Sequence, residues 1–156
     1  MGYRSEVLCA VGFPTKERLV EYMTFHKLRD YPSDTRVALD EFISKAKFFE
    51  GDEYFIAFHS YTSIKWYENY EDIQIVLQFI TGACEFEYNE ADEQAVGKII
   101  RIGEDQGDIE SNMYGSNAKI EEPLEEYFYP VSYVNIDIHQ EEYEKLKTIG
   151  ELNETK

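Results

Sequence analysis

Residues 99–110 read IIRIGEDQGDIE, and the way this stretch divides decides the fold. Ile99, Ile100 and Ile102 are β-branched residues suited to a buried strand, whereas Gly103 to Gly107 are rich in turn formers. The stretch is therefore expected to end a last core strand, Val96 to Ile102, with Arg101 offered to one sheet face. Glu104, Asp105, Asp108 and Glu110 are then left at the rim. A calcium loop started at Asp105 fails, because its third and fifth positions are Gly107 and Ile109 and neither supplies a side-chain oxygen.

Upstream of that strand the apolar periodicity assigns the remaining elements. Tyr3 to Val11 alternates and then turns apolar, as a strand entering a sheet interior does. KERLVEYMTFHKL (16–28) places Leu19, Val20, Met23 and Leu28 near one helical face, and Val37, Ala38, Phe42 and Ile43 mark a second helix. YFIAFHSY (54–61) and SIKWY (63–67) read as two strands of a hairpin, or as one long bent strand. Ile73, Val76, Leu77 and Ile80 form the stripe of another helix, with Asn69 as its cap and Gly82 at its end.

In chain order this is the split β-α-β-β-α-β arrangement of ferredoxin-like domains, an α+β fold with an antiparallel sheet and helices on one face. Residues 1–110 form the expected core domain, and residues 111–156 a C-terminal extension packed on it or adding a strand to it. SNMYGSN (111–117) reads as a linker and EEPLEE (121–126) as a charged run. YFYPVSYVNIDI (127–138) reads as an edge strand because of Pro130, and the tail as a short helix.

The chain has 156 residues, 43% of them apolar, with 13 Tyr and 10 Phe, which is enough bulk for one folded domain. Its mean hydropathy is -0.52 and its net charge is -17. The charge is uneven. Residues 1–48 hold 8 Lys/Arg against 7 Asp/Glu, and the rest hold 7 against 25. Such a field repels nucleic acid and anionic membranes and attracts basic surfaces. Cys9 and Cys84 both sit in apolar runs without metal-ligand spacing, as reduced thiols of a cytoplasmic protein do. There is no membrane-span pattern and no secretory leader pattern.

No motif names a reaction. His26, His59 and His139 lie far apart in sequence, and neither a nucleophile elbow nor a phosphate-binding glycine loop is present, so no catalytic residue, metal ligand or cofactor is assigned. Two sets of residues remain. Arg4, Glu6, Lys65, Tyr67 and Arg101 are expected on adjacent strands as a polar sheet-face cluster, either a salt-bridge ladder or a site for a partner or anion. Glu85, Glu87, Glu90, Asp92, Glu93, Glu104, Asp105, Asp108, Glu110, Glu121, Glu122, Glu125 and Glu126 are expected to meet a basic partner.

The opening MGYRSEV, the central IKWY followed by ENYED, and RIGED followed by DIE resemble a group of small phage and prophage proteins over the first 110 residues or so. The longer acidic insert CEFEYNEADEQAVGK and the acidic, aromatic tail depart from that group. The resemblance implies a phage protein at work in a bacterial cytoplasm and lends no catalytic residues. With the charge, the expectation is a binding protein that inhibits a basic bacterial protein (a nuclease, a helicase or another nucleic-acid-binding defence factor) by presenting carboxylates in place of phosphates. The alternatives are a self-associating scaffold using residues 127–138, and a metal-dependent hydrolase using carboxylates near Glu104 and Asp108.

Overall fold

The structure, a computed structural model, describes residues 3–28, 37–67, 69–86, 88–105, 107–130 and 136–138. Strand β1 (Ser5–Phe13) leads into helices α1 (Lys16–Leu28) and α2 (Val37–Lys45), then the short strand β2 (Lys47–Glu50) and the long strand β3 (Phe55–Ile64). Helix α3 (Glu71–Gly82) precedes β4 (Val96–Gly103), β5 (Ile109–Tyr114), helix α4 (Ala118–Tyr127), and the short strands β6 (Phe128–Pro130) and β7 (Ile136–Ile138). The fold is α+β. Five strands form an antiparallel sheet in the order β2-β3-β1-β4-β5, and β6 pairs with β7 separately.

Central strand β1 is flanked by β3 and β4, with Cys9 opposite His59 on one side and Ile99 on the other. Its side chains alternate between two cores. Val7, Cys9, Val11 and Phe13 pack with Leu19, Phe42, Val76 and Phe79 of α1, α2 and α3. Leu8 and Ala10 face the other way, with Ile56, Ile100 and the buried Ile120, Leu124 and Phe128. Helix α4 thus covers the face that the helices-on-one-face expectation leaves open.

Three further expectations change. The hairpin is β2–β3, turning at Gly51 to Tyr54, because Phe48 and Phe49 are fully buried cross-strand partners of β3. Of the two readings of 54–67, the single bent strand holds as far as Ile64, and Lys65 to Tyr67 lie beyond its end. A bulge interrupts that strand where Ser5 pairs with Ile64 but Val7 with Tyr61; Ser63 there has φ 53°. The boundary at 110 falls inside β5, which pairs with β4 from Gly97–Tyr114 to Ile102–Ile109, so the expected linker is an edge strand. Residues 139–156, with His139 and the tail helix, lie outside the described residues.

Helix α4 docks through three devices. Asn117 caps it, accepting from the Lys119 N–H at 3.2 Å, while its amide donates to the carbonyls of Asp92 and Gln94 at 3.0 and 2.9 Å. A Cβ on Gly12 would lie 2.5 Å from Ile120 Cγ2, so only glycine lets the helix sit this close to β1. Beneath its C-terminal end the nearly buried Lys98 ammonium donates to the carbonyls of Leu124 and Phe128 at 3.0 and 2.9 Å. Burial pushes the Lys98 pKa down, with Glu125 opposing.

Truncation of Leu124 to alanine is expected to cost about 2–5 kcal/mol of unfolding free energy in urea. Glu122→Gln on the outer face should change it by less than about 0.5 kcal/mol. A Leu124→Ala cost below about 1 kcal/mol would place α4 outside the cooperative core.

Candidate functional site

The turn between β4 and β5 folds IIRIGEDQGDIE onto itself. Gly103 N–H donates to the Asp108 carbonyl at 2.8 Å, and Gly107 turns the chain with φ +84°, a conformation that disfavours a side chain. Arg101, on the face of β4 shared with Val7, then meets two carboxylates. Its Nη2 donates to Asp108 Oδ1 at 2.7 Å and to Glu110 Oε1, its Nε to Glu110 Oε1 at 2.9 Å, and its Nη1 to Asp108 Oδ2 at 3.2 Å and Ser5 Oγ at 3.1 Å. All five guanidinium N–H groups are engaged. Tyr3 joins the knot by donating its hydroxyl to Asp108 Oδ2 at 2.7 Å, while its own N–H donates to the Tyr67 oxygen at 2.5 Å.

The sheet-face cluster expected from strand parity is therefore divided. Tyr67 and Arg101 come together through Tyr3. Arg4 and Glu6 lie toward the α4 face, where Arg4 N–H donates to Glu104 Oε1 at 2.6 Å and Glu6 Oε1 accepts from Ser63 N–H at 3.2 Å. Lys65, past the end of β3, borders a groove that it shares with Arg4, Glu41 and Asp72, apart from Tyr67 and Arg101. Arg101 has no N–H left for an anion, which removes anion binding from its expected roles.

Beside the knot lies a cleft of about 440 Å³. Arg101, Glu110 and Asn112 line it together with the aromatic residues Trp66, Tyr67 and Tyr114. Tyr61 packs on Trp66 with ring centroids 5.8 Å apart, which fixes that ring.

The acidic residues fall into two groups. Glu104, Asp105, Asp108 and Glu110 gather at one end of β4. At the other end, the Asn117 amide ties the Ala91–Glu93 turn to the start of α4, so Glu90, Asp92 and Glu93 adjoin Glu121 and Glu122. Seven strand steps of ~3.4 Å separate the two ends by roughly 24 Å. Glu85 is exposed at the end of a 3-10 turn, and Glu87 lies outside the described residues.

Several of these carboxylates serve the chain itself. Glu93 accepts from the N–H groups of Asn89 and Glu90, and Glu121 accepts from the Asn117 N–H at 2.8 Å. Glu122, Glu125 and Glu126 instead line the outer side of α4. Sequence reading missed what they face. Glu50 at the end of β2 and Asp52 and Glu53 of the β2–β3 turn line a groove of about 490 Å³ opposite Glu122 and Glu126, where Lys119 reaches Glu53 at 3.4 Å.

The cross-strand pair of Cys9 and His59 carries a third member, since His59 Nε2 lies 3.1 Å from Glu41 Oε2. Cysteine, histidine and glutamate in one row resemble a nucleophile array. Burial holds the Cys9 thiol well above its ordinary pKa, and among the described residues its side chain has no exposed surface, so the row reads as structural. Only strand pairing brings these residues together; no sequence spacing signals them. The carboxylates on which the hydrolase reading rests are spent on different donors, Glu104 on Arg4 and Asp108 on Arg101 and Tyr3. Among the described residues no group of three His, Cys, Asp or Glu is placed to hold a metal, and no helix is long and apolar enough to cross a membrane. Comparison with protein-family models, curated proteins and solved structures finds no match.

The hydrogen bonds from Arg101 and Tyr3 hold the Asp108 carboxyl below the usual carboxylate range. A carboxyl so held stabilises the fold above its unfolded-state pKa of about 4, and the contribution disappears as pH falls through the lowered value. Asp108→Asn is therefore expected to reduce stability at neutral pH and to lose part of the acid sensitivity. The gap between wild type and variant in urea unfolding should close as pH drops below about 4. A gap independent of pH would contradict this.

Proposed function

We propose that the protein is a binding protein whose acidic end, formed by the outer side of α4, the β2–β3 turn and the Ala91–Glu93 turn, engages a basic surface of another macromolecule. The observation that carries this is the charge pattern of α4. Glu121/Glu125 and Glu122/Glu126 are like-charged pairs four residues apart, each costing a helix about 0.2–0.5 kcal/mol. The last turn of α4 has no basic residue, so its glutamates also oppose the helix dipole. Glu121 takes the Asn117 N–H and Glu125 favours the charge on Lys98, but among the described residues Glu122 and Glu126 make no contact that offsets their repulsion. Across the groove, Glu50, Asp52 and Glu53 add further negative charge against a single Lys119.

Carboxylates on a braced helix and a tight turn suit a nucleic-acid groove, where they stand in for phosphates. The resemblance of MGYRSEV, IKWY, RIGED and DIE to small phage and prophage proteins supplies the setting: a bacterial nuclease, helicase or related defence factor inhibited in the cytoplasm. For the frame, we read β1 to β4 with α1, α2 and α3 as a ferredoxin-like split β-α-β-β-α-β unit, supported by the neighbour order β2-β3-β1-β4. Phe128 is fully buried in the α4 core and β6 pairs with β7, so deleting residues 127–138 removes core as well as surface; residues 131–135 lie outside the described residues.

Capture of partners from a bacterial lysate at roughly 50 mM and 500 mM salt tests the proposal. Capture is expected at low salt, with release at high salt and by added duplex DNA. The triple variant Glu122→Gln, Glu125→Gln, Glu126→Gln should weaken capture about tenfold or more while raising stability by about 0.4–1 kcal/mol, since both repulsive pairs are broken. Capture insensitive to salt and to the triple variant would overturn the reading.

A further inference from the structure

We infer that the cleft beside Arg101 is a binding site for an organic cation, a protonated amine or guanidinium group. The site lies at the far end of β4 from the acidic groove and does not depend on the function proposed for that groove.

The charge of the cleft follows from its bonding. Arg101 brings one positive charge, and Asp108 and Glu110 bring two negative ones. The guanidinium, the one cationic group of the lining, has no free donor for an anion. The carboxylates keep capacity. Glu110 uses Oε1 for both of its bonds to Arg101, and its Oε2 has no protein partner among the described residues. Glu110 is half-exposed, with a side-chain exposure of 55%, so that oxygen is within reach of a ligand. A cation placed there takes up the remaining negative charge and gains a charge-assisted hydrogen bond.

The walls suit the same ligand. Trp66 and Tyr67 present partly buried aromatic rings to the cleft, and Tyr3 and Tyr114 complete it. Aromatic faces attract ammonium and guanidinium groups within about 6 Å, most strongly on tryptophan. Leu77 and Ile99 supply an apolar patch for the carbon stem of such a ligand. The wall is also set in place beforehand. Tyr61 holds Trp66, Tyr70 packs on Tyr67 with centroids 5.1 Å apart, and Tyr67 accepts the Tyr3 N–H. Little ordering remains to be done on binding.

Trp66 is the chain's single tryptophan, so its fluorescence reports on this cleft alone. The full chain is titrated with n-butylammonium as a free amine, and with the blocked amino acids N-acetyl-lysine methylamide and N-acetyl-arginine methylamide as protein side chains. Butyrate and 1-butanol serve as anionic and neutral controls, and calorimetry gives a second readout. Saturable binding of the cations is expected, with no saturation by either control. Glu110→Gln should weaken it about tenfold or more, and Glu126→Gln at the distant acidic end should leave it unchanged. Tighter binding of the free amine points to a small-molecule ligand, and tighter binding of a blocked amino acid to a protein side chain; both support the site. Absence of saturable cation binding, equal binding of 1-butanol, or equal weakening by Glu126→Gln would overturn it. The last would show attraction by the overall charge only.

Discussion

Burial of β1 and β4 on both faces is the constraint from which the rest of the structure follows. Every residue of β1 except Glu6, and every residue of β4 except Arg101, is buried. A sheet whose central strands are apolar on both sides needs two covers. Helices α1, α2 and α3 provide one, and α4 is the other. That second cover is a helix of 10 residues containing Pro123, which by itself is a poor helix. Two buried polar anchors, Asn117 and Lys98, offset the weakness through the carbonyls they bind and fix the helix to the sheet. The same anchoring turns the glutamates of α4 outward on a rigid base.

Charge distribution divides into what the fold consumes and what it leaves over. Glu93, Glu104, Asp108, Glu110 and Glu121 satisfy backbone donors or Arg101, and they account for much of the local order at both ends of β4. Glu122 and Glu126 act in the other direction, since they repel each other and Glu126 also opposes the helix dipole, whereas Glu125 repels Glu121 but favours the charge on Lys98. A surface that works against its own helix, beside a turn of the same sign, is the feature in this molecule that stability does not explain. The Lys119–Glu53 pair is exposed and contributes little to balance it.

The elements legible in the sequence were those with a clean period. The stripe of Ile73, Val76, Leu77 and Ile80 is α3, and IIRIG is the end of β4; helix α1 spans Lys16–Leu28 with a far weaker period, though Leu19, Val20 and Met23 are buried as expected. What was hidden had been masked by composition. KFFE is only four residues long and follows α2 after one alanine, too short a run for its period to mark a strand. The strand IESNMY lies at the sheet edge, where pairing with β4 outweighs a polar sequence. In AKIEEPLEEY the acidic run and proline hid the helix, although Ile120, Leu124 and Phe128 at four-residue intervals carry its apolar face. Of the candidate site, the acidic residues were visible as a list, but not their separation into two ends. Glu50, Asp52 and Glu53 escaped notice because only the β2–β3 pairing sets them opposite α4.

The most direct test of the central claim is carbodiimide footprinting of carboxylates, read by mass spectrometry on the free protein and on its complex with a captured basic partner. The account predicts protection of Glu122, Glu125, Glu126 and Asp52 in the complex, while Glu104 and Asp105 at the other end of β4 stay reactive. Protection confined to Glu104 and Asp105, or equal reactivity of the α4 carboxylates in the two states, would contradict it.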